Sequence, residues 1–140
     1  MDYQNYAMGK WVSGDGDGTP LFNAITGTEI GSANSKGLDF GQMMDYSRKV
    51  GSPVLRKMTF QQRGLMLKAL ALHLHGIKGK FYELSAATGA TKIDSWIVIE
   101  GGIGNLFANA SLRKQFPDLP YYVDGEAAKL SKEGTFIGHH

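Results

Sequence analysis

The stretch most suggestive of chemistry is SWIVIEGGIGNLF, residues 95–107, with an acidic pair, Asp124 and Glu126, downstream. A dinucleotide-binding unit needs a strand, a G-x-G-x-x-G turn that brings backbone amides onto a pyrophosphate, and a helix. An acid about twenty residues on then holds the ribose. Trp96, Ile97, Val98 and Ile99 would serve as the strand, and Gly102 and Gly104 as the first two glycines. The third glycine position is Phe107, a poor size for close helix-to-strand contact. Asp124 falls at a suitable distance for the ribose.

A helix competes for the same residues. It would start at Asp94, a good N-cap type, and run to Leu112. Trp96, Ile99, Ile103, Leu106 and Ala110 recur at spacings of three and four, one helical face. Gly101, Gly104, Ala108 and Ser111 make a second, small-residue stripe of the same period, suited to a closely approaching neighbour. Each mid-helix glycine costs roughly 1 kcal/mol against alanine, so tight packing would have to offset about 3 kcal/mol. The periodicity favours the helix.

Two further groups invite a metal reading. SGDGDG, residues 13–18, is acidic and glycine-rich, but lacks the alternating oxygen ligands and terminal Glu of an EF-hand. A solvated hairpin turn explains it better. His73 and His75 are two apart, so on a helix they diverge by about 200° and cannot share an ion; surface or packing roles are expected. The chain has no cysteine, which removes disulfides, thiolate metal sites and a cysteine nucleophile.

These candidates have to be positioned by the rest of a 140-residue chain that is 42% hydrophobic and 20% charged, ordinary for one globular domain. A net charge of +2, spread without blocks, argues against nucleic acid and anionic membranes. Apolar runs fall well short of the roughly 18 residues of a membrane span. The polar start MDYQNYAMGKW lacks the order of a secretory signal, so a cytoplasmic location is expected.

Residues 9–33 read as β-ribbon, with KWVS, PLFNA and EIGSA separated by turns at 14–18 and 26–27. Such thin strands need another surface to lie on. LDFGQMMDYSRKV, residues 38–50, reads as a helix ended by Gly51 and Pro53. Thr59 and Gln62 form a capping-box start for a helical face carrying Met66, Leu70, Leu74, Ile77, Phe81 and Leu84. Gly76 and Gly79 divide that run into two helices, and Gly89 in TGAT caps the second. After Pro117 and Pro120, YYVD and TFIGH read as two strands around a polar turn. His139 and His140 are read as native residues or the remnant of a tag. The fold class is mainly α with short β-ribbons, an α+β chain in isolation.

NAITGTEIG, LRKMTFQQRGLMLKALALHL and ELSAATGATKIDSW together resemble the N-terminal portion of the aldehyde dehydrogenase superfamily. A fuller match is to the aldehyde dehydrogenase domain of the bifunctional ring-opening enzymes of phenylacetate degradation. GLDFGQMMDYSRKVG, YELSAATGATKIDSWIVIEGGIGNLFANASLRKQFP and LSKEG carry it, and the resemblance covers nearly the whole chain from about Gly9. Ala24 stands where the family usually has Pro, Thr28 is an addition to T-G-E, and Val98 replaces a usual Asp. None of these is a catalytic position.

The resemblance implies a parent enzyme that oxidises an aldehyde with NAD or NADP, the aldehyde in this subgroup being a CoA-linked semialdehyde. A cysteine thiolate attacks, hydride leaves, and a Glu-activated water hydrolyses the thioester, with an Asn and a backbone N–H holding the oxyanion. All those groups fall beyond residue 140 in the family pattern. No catalytic, cofactor-binding or metal residue is therefore assigned, no cofactor is expected on this chain, and the chain alone is expected to be inactive.

The resemblance also places 38–116 on the exterior of the cofactor domain of an α/β fold, 120–140 at the start of a bridging ribbon, and 95–107 in a helix. Without the sheet they normally cover, Met66, Leu70 and Leu74 would be exposed and would drive association. The expected partners are a second copy and the remainder of the dehydrogenase. The alternative reading is a stand-alone helical module that binds itself or a partner without catalysis.

Overall fold

The computed structural model describes residues 2–129 and 135–139, and the side chains of residues 3–125. Two small sheets begin the chain. β1 (Asp2–Tyr3) runs parallel to β5 (Glu29–Ala33), whose other edge pairs antiparallel with β4 (Thr19–Phe22). β2 (Asn5–Ala7) and β3 (Lys10–Val12) form a separate hairpin.

The three expected strands are present, and β4–β5 turns through Gly27 at φ +70°, where glycine meets no Cβ clash. SGDGDG is not a hairpin turn, however. β3 and β4 belong to different sheets, and the loop is a crossover held from the side. Asn34 Nδ2 donates to the carbonyls of Asp15 (2.8 Å) and Gly16 (3.3 Å), while Asn5 Nδ2 donates to the Asn34 carbonyl at 2.7 Å.

The helix beginning at the Asp39 cap does not stop at Gly51. α1 (Phe40–Tyr46) passes through a π-helical turn, Ser47–Gly51, into α2 (Ser52–Lys57). Pro53 has no N–H and its ring would meet the carbonyl four residues back in a regular helix. The wider turn, closed by the Ser52 amide donating to the Ser47 carbonyl, accommodates it one residue earlier.

α3 (Phe60–Gly76) starts on the expected box, with Thr59 Oγ1 accepting from the Gln62 amide and Gln62 Oε1 accepting from the Thr59 amide. α4 (Lys78–Ala87) follows after Ile77, and Gly89 at φ +82° ends it. α5 (Lys92–Ser111) starts earlier than the sequence suggested. Thr91 is its N-cap, and Asp94 is the third helical residue of a second capping box. A 3₁₀ turn, Leu112–Gln115, closes it. β6 (Val123–Lys129) and β7 (Thr135–His139) pair antiparallel, so the first strand lies two residues later than YYVD and extends through 129. The LSKEG motif and His140 lie outside the described residues.

The core lies between α3 and α5. Ile103 and Ala110 of α5 are buried with Gly64 and Ala71 of α3, and Ile99, Leu106, Leu67 and Leu74 are half-buried. The α5 stripe thus follows its expected phase, except that Ser95 is buried in place of Trp96. On α3 Met66 and Leu70 face outward, as the resemblance implies for this chain, whereas Leu74 is half-buried. Helix axes approach to 8–10 Å according to the side chains between them, and here the smallest residues of α3 take the inner face. A Cβ on Gly64 would lie 2.7 Å from Arg113 Cβ and 2.9 Å from the Ala110 carbonyl oxygen.

Candidate functional site

The glycine cluster lies inside α5 with no strand before it. The amides that a helix N-terminus could offer a phosphate belong to Thr91–Asp94, about 15 Å earlier at 1.5 Å per residue, and two of them bond within the capping box. The phosphate-loop reading of Gly102 and Gly104 is therefore incorrect. Asp124 lies on β6, with no such loop to complete. Glu126 shares that strand, but its side chain lies outside the described residues. Nor are the glycines contact points among the described residues. A Cβ on Gly101, Gly102 or Gly104 would meet nothing within 4 Å.

Around SGDGDG, the carbonyl oxygens that a cation would need are already accepting from Asn34. His73 and His75 are exposed on the last turn of α3. His75 Nε2 sits 3.3 Å from Lys78 Nζ. Among the described residues no three His, Asp or Glu converge.

Two polar clusters that no local spacing rule revealed join the helices. In the first, Lys78 Nζ donates to Glu100 Oε1 at 2.7 Å and Tyr82 Oη donates to the same oxygen at 3.2 Å, tying α4 to α5. The Lys78 hydrogen bond holds the Glu100 carboxyl below its usual range, against the opposing effect of burial. Burial first, then the hydrogen bond to Glu100, pushes the Tyr82 phenol up. Nearby, Ser85 and Ser95 share a 2.9 Å hydrogen bond that accounts for the buried hydroxyl of Ser95.

The second cluster joins the start of α3 to the end of α5. Arg63 lies over the Phe60 ring at 4.3 Å and donates through Nη2 to the Pro120 carbonyl at 3.1 Å. Phe60 stacks on Phe116 at 4.6 Å, and Gln61 Nε2 donates to the Arg113 carbonyl at 2.8 Å. A sequence signal for this cluster existed in the pair Arg63-Gly64 directly after the capping box, because a glycine so early in a helix marks a close approach.

The outer faces are apolar. Trp96, Ile97 and Val98 of α5, Met66 and Leu70 of α3, and Val54 and Leu55 of α2 are exposed. The accessible surface is 10493 Å², whereas a compact monomer of 15.2 kDa exposes about 7,100 Å². No helix among the described residues is long and apolar enough to cross a membrane.

A helical layer with an unclosed core and no gathered catalytic groups among its described residues is what comparison with known proteins has to explain. That comparison supports a relationship to the aldehyde dehydrogenases. Along its whole length the chain is 27% identical to the 3,4-dehydroadipyl-CoA semialdehyde dehydrogenase of Aromatoleum evansii, over 141 residues. It spans 27% of that protein's length. No family model matches the chain.

Proposed function

We propose that this chain is the N-terminal portion of an NAD(P)-dependent aldehyde dehydrogenase acting on a CoA-linked semialdehyde in aromatic degradation, of the phenylacetate ring-opening kind. By itself it does not oxidise aldehydes. The observation that carries this reading is the likeness along the whole chain to a semialdehyde dehydrogenase about four times as long. In this reading α3–α5 cover the cofactor domain from outside and β6–β7 begin the oligomerisation ribbon. The apolar outer faces are then surfaces for the remainder of the enzyme and for a second subunit.

The test is the coding sequence past codon 140. A continuing frame with a G-Q-x-C-type segment is expected; a natural stop directly after His140 with no dehydrogenase sequence downstream would sink the reading. The purified chain should also leave NAD and NADP unreduced in the presence of aldehydes.

A second reading rests on the excess surface. The chain associates through its apolar faces as a helical module without catalysis. Light scattering of the purified chain is expected to give a dimer or larger, and a clean monomer at high concentration would count against association.

A further inference from the structure

A groove of about 230 Å³ runs between the first half of α3 and the end of α5, lined by Phe60, Arg63, Leu67, Asn109, Arg113 and Phe116, with Gly64 at its floor. Its walls are largely apolar, yet two guanidinium groups and, among the described residues, no carboxylate line it. We infer that this groove binds a small organic carboxylate with an apolar body.

The charge balance carries the inference. Arg63 is half-buried, and its Nε is sealed from water with no hydrogen-bond partner among the described residues. The Lys49–Asp45 and Lys78–Glu100 ion pairs do not involve Arg63. A guanidinium carries a delocalised positive charge, and holding it half-withdrawn from water with no counter-ion among the described residues has a cost. The Phe60 ring and the Pro120 carbonyl offset part of that cost. A carboxylate in the groove would offset the rest.

Arg113 is fixed for the same task. Its Nη1 donates to the Ala110 carbonyl at 2.7 Å, and its stem lies across Gly64, where any Cβ would displace it. Each arginine spends one N–H on a carbonyl, leaving others to form charge-assisted bonds. The stacked Phe60 and Phe116 rings supply the apolar wall. A second basic groove, at Arg48, Arg56 and Lys57, has no aromatic wall and serves as the internal control.

The experiment titrates the intact 140-residue chain with benzoate, with benzamide and with inorganic phosphate, following backbone amide shifts by NMR. Benzoate is expected to bind saturably, with Kd about millimolar or tighter, and to move the amides of Gly64, Leu67 and Asn109. Benzamide and phosphate are expected to bind at least about tenfold more weakly. Arg113→Gln, which leaves the Arg63 stack in place, should weaken benzoate several-fold, and Arg63→Met should abolish its binding while far-UV circular dichroism retains helicity. If Arg63→Met unfolds, the ligand series and Arg113→Gln decide. Benzamide binding as tightly as benzoate, phosphate matching it, shifts centred on Arg48 and Arg56, or no saturable response would each overturn the inference.

Discussion

The two faces of α5 carry the same kinds of residue and do opposite things. The inner face holds buried Ser95, Ile103 and Ala110 and half-buried Ile99 against α3 and α4. The outer face holds Gly101, Gly102 and Gly104 beside exposed Ile97 and Val98, where an added Cβ meets open space. Small residues are therefore not self-explanatory. On one face they are consumed by packing inside the chain; on the other they cost helix stability with nothing among the described residues to offset it. That asymmetry is expected of a helix whose second neighbour belongs to another polypeptide segment or another copy.

The largest way to break the comparison is Ile103→Ala, which empties a buried site and should destabilise the isolated chain by about 2–5 kcal/mol in urea denaturation. A cost below about 0.5 kcal/mol would mean that the α3–α5 seam is not the core. Next comes Gly64→Ala, whose methyl would meet Arg113 and the Ala110 carbonyl and should cost about 1–3 kcal/mol despite better helix propensity.

Its outer counterpart should run the other way. Gly101→Ala and Gly104→Ala are each expected to stabilise the isolated chain by about 0.5–1 kcal/mol, and loss of stability in either would reveal a contact on that face. If the outer glycines serve association, the same substitutions should also weaken the dimer expected in light scattering.

The smallest effect concerns Glu100. Its carboxyl is held below the ordinary value of 4.5, first by Lys78. The stability it contributes is therefore present above that value and lost as pH falls through the lower, folded value. Thermal melts of the native chain and Glu100→Gln should differ modestly at pH 7 and converge in acid below about pH 4. A difference unchanged down to pH 2 would exclude the ion pair as its source. The Tyr82 phenol, pushed up mainly by burial, favours its neutral form in the folded chain, so its contribution disappears only at strongly alkaline pH.

Much of this was legible where the signal is local. Thr59 with Gln62, Gly89 after α4, the break near Gly76, and Gly27 between β4 and β5 all act within a few residues, and the structure places them as expected. What failed depended on partners distant in sequence. The Met66–Leu70 stripe is exposed as the resemblance implies, but nothing local showed that Gly64 and Ala71 take the inner face, because the close approach at Gly64 depends on Arg113. Lys78 and Glu100, 22 residues apart, obey no spacing rule. The phosphate-loop alternative competed because a β-branched run followed by glycines describes a buried strand and a helix equally well; the helix that the periodicity favoured is the one that forms. Thr91 was passed over for Asp94 because either residue type caps a helix, and the choice depends on which has extended backbone; Thr91 has ψ 165°.

The π-helical turn at Ser47–Gly51 amounts to one extra residue threaded into an otherwise continuous rod from Phe40 to Lys57. Each residue of an α-helix advances the side chains by about 100°, so this single residue sets the rotational phase between the two halves. Phe40 and Met44 ahead of it, and Val54 and Leu55 behind it, point where they do because of that offset. Excising one residue of the turn would leave the length and composition of the rod almost unchanged while twisting one apolar strip out of line with the other. A rod so adjusted acts as a keyed shaft: a surface that docks along it reads the offset as well as the residues.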